Sequence, residues 1–152
     1  MTGAGKSEHR IGAATAPTRL VSRIYRMRAL GLGTGFFVVA SGLKAAEEPC
    51  TDTLYRNRKT LLDSAKNGIV LAVSGDDWTR CVNTKNRLIA TDRMNRLREL
   101  LFTDEFSFGD SKIPVVRQSM MPQFRSYAEN MRWRIGDVMF AFNSNASIRP
   151  DR

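Results

Sequence analysis

Residues 29–43 read ALGLGTGFFVVASGL, and how this run folds decides how the rest of the chain is read. Arg26 and Arg28 precede it and Lys44 follows it. Fifteen residues make roughly 22 Å of α-helix, short of the ~30 Å hydrocarbon core of a bilayer. Residues 24–46, with the Arg and Lys stems reaching outward, number twenty-three and suffice for a short span. Tyr25 stands where an interfacial aromatic belongs. Residues 24–46 are therefore expected to form one transmembrane helix.

On such a helix Gly31, Gly35 and Gly42 share a face. Gly31 and Gly35 have the small-xxx-small spacing that lets a second helix approach closely. This face is the expected helix-packing surface. Two other readings stay open. The run also fits the h-region of a cleaved leader, with Ala40 and Gly42 as the small pair before the cut. It fits a buried apolar helix as well. The lead-in of 28 residues is long for a secretory signal and better matches a mitochondrial address; a retained span is the favoured reading.

The charge is uneven. Residues 1–46 carry seven Lys/Arg and one acid, Glu8, whereas residues 47–152 carry seventeen against fourteen. The basic excess thus lies mainly in an arm, residues 1–23, whose Arg-rich and acid-poor make-up resembles an organellar address. Arg19, Arg23 and Arg26 recur at helical spacing beside Leu20, Ile24 and Met27. With Arg28 they are the candidates for contact with anionic lipid. Basic residues before the run slightly outnumber those after it, which sets the N-terminus on the matrix, cytoplasmic or stromal side.

After the run the pattern predicts a small helical domain over 47–142 and a polar tail over 143–152. Thr51 or Thr53 can cap a helix carrying Leu54, Tyr55, Leu61 and Leu62, closed by Asn67-Gly68. Ile69–Val73 is a β-branched run that periodicity assigns neither to strand nor to helix. Asp76 and Asp77 sit at the start of a second helix containing Trp78, Cys81, Leu88 and Ile89, which Thr91-Asp92 can break or re-cap before Met94–Leu101. Ser119 and Pro122 open a third, with Phe124, Tyr127, Ala128, Met131, Ile135, Val138 and Met139 at helical spacing, and its stripe of Met120, Met121, Phe124, Tyr127, Met131 and Trp133 reads mostly as core. The expected fold class is mainly α: one short single-span transmembrane helix followed by about three amphipathic helices.

No chemistry-bearing constellation emerges. Gly3-Ala4-Gly5-Lys6-Ser7 imitates the end of a phosphate-binding loop but has neither the earlier glycine nor a preceding strand. The single histidine, His9, lies in the arm and completes no metal site. Asp76-Asp77 and Asp104-Glu105 are adjacent in sequence and read as capping or solvated pairs. Arg93, Arg96, Arg98, Arg132 and Arg134 are interleaved with acids, so a solvated or salt-bridged face is favoured over nucleic acid. Asn145-Ala146-Ser147 matches a glycosylation acceptor by a pattern frequent by chance. Cys50 and Cys81 are either unrelated thiols or a disulfide tying the segment after the run to the second helix; a bridge needs an oxidising space.

The sequence therefore predicts a non-catalytic accessory subunit of a membrane-embedded energy-converting complex. The respiratory chain or ATP synthase of the mitochondrial inner membrane fits best. No cofactor is expected; the partners are other subunits and membrane lipid. A thylakoid or other organellar membrane is the alternative setting. The alternative functions are a lumenal or periplasmic helical binding module with a signal segment, and a basic protein of an organellar ribosome.

Overall fold

A computed structural model describes residues 23–28, 35–40 and 42–144. Two strands stand where the spanning helix is expected, β1 (Arg23–Arg28) and β2 (Gly35–Ala40). They pair antiparallel, Arg28 opposite Gly35 and Arg23 opposite Ala40. On its other side β2 runs parallel to β3 (Ile69–Ala72), Phe37 opposite Ile69 and Ala40 opposite Ala72. The residues explain the outcome. GFFVVA is aromatic and β-branched, the composition that suits a pleated surface. Glycine inside a helix costs about 1 kcal/mol relative to alanine, so a run with Gly31, Gly33 and Gly35 is a weak helix former.

The glycine face is corrected with it. Gly35 opens β2, Gly42 sits at φ +84° in the turn that leaves it, and Gly31 lies outside the described residues. Arg23, Arg26 and Arg28 lie on β1, whereas Arg19 falls outside. Among the described residues no helix is long and apolar enough to cross a membrane.

Among the described residues there are two α-helices, α1 (Asp52–Asp63) and α2 (Ala90–Leu101). The Oγ1 of Thr51 accepts the Leu54 N–H at 3.1 Å and caps α1 as expected. Tyr55, Arg58 and Leu62 turn inward from α1; Met94, Leu97 and Leu101 do so from α2. The predicted second helix starts late. Gly75–Asp77 is a single 3₁₀ turn, and the chain then loops until Ala90.

The third predicted helix is absent. Its place is taken by β4 (Val116–Arg117), 3₁₀ turns at Gln118–Met120 and Pro122–Phe124, β5 (Met131–Ile135) and β6 (Val138–Phe142). These strands form an antiparallel sheet in the order β4-β5-β6. Gly136, at φ +57°, is the first of the two residues turning β5 into β6, the position where such a hairpin needs glycine. The expected mainly-α class thus gives way, over the described residues, to a mixed fold of two helices and two small sheets.

One core joins these parts. β3 is buried throughout, and Tyr55, Leu62, Trp78, Met94 and Leu97 pack around it. Phe36 of β2 meets Trp133 of β5 edge-on, with ring centres 5.7 Å apart, and Phe140 of β6 at 5.2 Å. Trp133 and Phe140 stack at 5.6 Å. This aromatic trio fastens the second sheet to the first.

A candidate binding groove on the second sheet

Two buried polar clusters look like candidate sites and resolve as structure. Asp77 is fully buried. Its carboxylate accepts the N–H of Leu43 at 2.8 Å and of Ser74 at 2.9 Å. Burial pushes its pKa up, against the backbone hydrogen bonds of Ser74, Leu43, Lys44 and Gly42. Tyr55 donates its hydroxyl to the Asp77 carbonyl at 2.9 Å. Burial, with the Asp77 charge second, drives the phenol up to about 12, so it stays a donor. Arg58 closes the same wall, donating from Nε to the Leu43 carbonyl at 2.8 Å and from one terminal nitrogen to both Glu48 oxygens at 2.7 and 3.0 Å. Every group is committed to holding residues 42–48 against α1.

The second cluster lies under β4. The buried Arg117 guanidinium donates to the carbonyls of Asp104, Ala128 and Phe106 and covers the Phe102 ring at 5.1 Å. Burial pulls its pKa down. Beside it Arg98 grips the buried Glu129 through two bonds of 2.8 and 2.7 Å. These contacts tie loops to the core.

The outer face of β4-β5-β6 is different. Along β5, Met131 and Trp133 point into the core, while Arg132 and Arg134 point out. Strand pairing sets Val116, Arg132 and Ala141 in one cross-strand row. The paired 3₁₀ turns fold over the end of β4 and raise Met120 and Met121 as a wall. Together with Asn143 these residues line an open groove of about 350 Å³. Met120 is 56% exposed and Val116 47%, uncommon values for apolar side chains grouped in a concavity.

The end of the groove is braced. Gln118 N–H donates to the Asn130 carbonyl at 2.9 Å, and the Asn130 amide donates to Gln118 Oε1 at 2.7 Å. Ser144 N–H then donates to Asn130 Oδ1 at 2.7 Å. Arg134 is engaged by Asp137 at 3.0 Å, but Arg132 has no ion-pair partner among the described residues. The lining contains two arginines and no acid. Thioethers, amides and an exposed guanidinium are groups for contact: they suit an apolar ligand carrying negative charge.

The remaining sequence candidates fall as follows. Cys50 and Cys81 are joined as a disulfide, Cα atoms 5.6 Å apart, linking the approach to α1 with the loop after the 3₁₀ turn. Arg93 and Arg96 both engage Asp52, at 3.0 and 2.8 Å, and bind α2 to the start of α1. Asp76 is exposed while its neighbour Asp77 is buried. Asp104 accepts the Phe106 N–H at 3.0 Å in a loop. Gly3–Ser7, His9 and Asn145–Ser147 lie outside the described residues. Among the described residues no group of three His, Cys, Asp or Glu side chains is placed to hold a metal ion.

The groove is hidden from the sequence because Met120 and Met121 fall in a stripe that reads mostly as the core of a third helix. The signal against that helix was present: Met131–Ile135 alternates apolar and basic with period two, and Gly136-Asp137 follows it. Comparison with protein-family models, with curated proteins and with solved structures finds no match for this chain.

Proposed function

We propose that this protein is a non-catalytic binding module whose β4-β5-β6 groove takes an extended, apolar, acid-bearing segment of a partner protein, in a compartment that oxidises thiols. The observation that carries this reading is the methionine-walled groove whose floor holds Val116 and an Arg132 with no ion-pair partner among the described residues. Flexible thioethers adapt to varied apolar side chains, and an exposed guanidinium selects a carboxylate. The Cys50–Cys81 bridge supports the compartment, since disulfides persist where thiols are not kept reduced. An accessory subunit of a membrane-embedded energy-converting complex falls within this reading, the partner then being a neighbouring subunit. Its attachment rests on the groove and needs no spanning helix.

The test is a calorimetric titration with extended apolar peptides, with and without one Asp or Glu. The acid-bearing peptides are expected to bind, and Met120→Lys to abolish binding while circular dichroism stays unchanged. Arg132→Gln should remove the preference for the acid. Binding that is indifferent to both substitutions would sink the groove as the site.

A further inference from the structure

The free edge of β6 has the chemistry of a self-pairing surface. β6 reads VMFAF and has no partner strand on its outer side among the described residues. An open apolar edge is an invitation to pair; of the other edges, β3 is buried and bridged to Phe108, and β4 and β1 are blunted. β4 is two residues long. β1, at the edge of the first sheet, has the basic sequence RIYRMR, a composition that discourages edge pairing. For a chain of net charge +9, repulsion opposes self-association wherever basic residues lie. Residues 138–148 hold no charge at all.

The inner row of β6 also lacks cover. Val138, Phe140 and Phe142 share the core side with Ile135, Trp133 and Met131. Yet Val138 is 48% exposed, and both phenylalanines are only half-buried. We infer that β6 pairs antiparallel with β6 of a second copy about a dyad at Phe140, joining two three-stranded sheets into one of six strands. In that register Val138 faces Phe142 of the second copy, and Phe140 faces its own counterpart. Each half-covered apolar side chain thereby gains an apolar neighbour. Asp137 falls opposite Asn143, so no like charges meet.

The backbone fits the same register. Ile135 and Val138 flank the two-residue turn and form a hydrogen-bonded pair, and such pairs alternate along an antiparallel ladder. The main-chain N–H and C=O groups of Met139 and Ala141 therefore point away from β5. About a dyad at Phe140, Met139 lies opposite Ala141 of the second copy, and the two pairs exchange four hydrogen bonds. A dyad normal to the sheet keeps both outer faces on one side, so the two grooves would open in the same direction.

The test is sedimentation equilibrium on the full chain with its native disulfide. A concentration-dependent dimer is expected, and Met139→Pro should raise its dissociation constant at least about tenfold. The proline removes an outward N–H and no β5–β6 bond, so circular dichroism and groove binding of the acidic peptide should persist. Register is read separately: Val138→Cys with Phe142→Cys should oxidise to a covalent dimer. Val138→Cys with Met139→Cys should not. A wild-type chain monomeric at every concentration, or a dimer indifferent to Met139→Pro, would overturn the inference. Neither result bears on the groove, which Met120→Lys tests alone.

Discussion

The main-chain N–H of Leu43 donates to the buried carboxylate of Asp77 at 2.8 Å, across thirty-four positions of sequence. This bond fixes where the glycine-rich run leaves the first sheet. Leu43 is fully buried beside it, and the next residue, Lys44, turns its ammonium onto the carbonyls of Ala45 and Ala46. A segment held this way is part of the domain core.

Asp77→Asn should therefore be costly despite its near-identical shape. One carboxylate oxygen becomes an N–H₂ group facing a backbone donor. Leaving a buried donor unsatisfied costs about 1–3 kcal/mol, so a loss of about 2 kcal/mol is expected in urea unfolding. A variant as stable as wild type would show that Asp77 does not anchor residues 42–44.

Reduction of the Cys50–Cys81 bridge should lower stability by about 3.7 kcal/mol, from the loop of thirty-one positions that it closes in the unfolded chain. The Cys50→Ser, Cys81→Ser double variant should behave the same way. The comparison is thermal unfolding with and without a reductant, against the double variant, in which the reductant should change nothing.

Glu129→Ala should cost about 3 kcal/mol. Glu129 is 1% exposed and holds Arg98 through two short bonds, and breaking such a pair strands the remaining charge. Replacing Arg98 and Glu129 together by Leu and Met should restore part of the loss. Denaturant midpoints of the single and double variants decide it.

Acid should weaken the fold through Asp52 and Glu48. The hydrogen bond from Arg96, aided by Arg93, holds Asp52 below the usual carboxylate range against slight burial. Burial raises Glu48, but the Ala45 N–H and Arg58 outweigh it and leave it lowered. A lowered folded pKa means that the contribution is complete above the unfolded value near ~4 and is lost as pH falls through the folded value. Asp77, raised, acts in the opposite sense: its contribution is lost as pH rises from the unfolded value through the folded one. In urea midpoints measured against pH, Asp52→Asn should flatten the acid limb. An unchanged limb would show that the α1–α2 ion cluster adds nothing.

What was legible in the sequence was local. Thr51 announces the start of α1, because its hydroxyl needs only an amide three residues on. The even alternation of Met131–Ile135 and the glycine at 136 mark a hairpin for the same reason, since strand period and turn chemistry act over a few residues. The thirty-one positions between Cys50 and Cys81 left two readings open, because spacing does not carry distance in space. The sequence by itself determined the charge asymmetry, the start of the first helix and the uncharged stretch that becomes β6. Only the tertiary structure decided that 35–40 is a strand: it lies parallel to β3 with Phe36 held by Trp133 and Phe140, partners about a hundred positions away. An apolar run has similar hydropathy as a span, a leader or a strand. Its form is set by the main-chain groups and rings that meet it, and those come from distant parts of the chain.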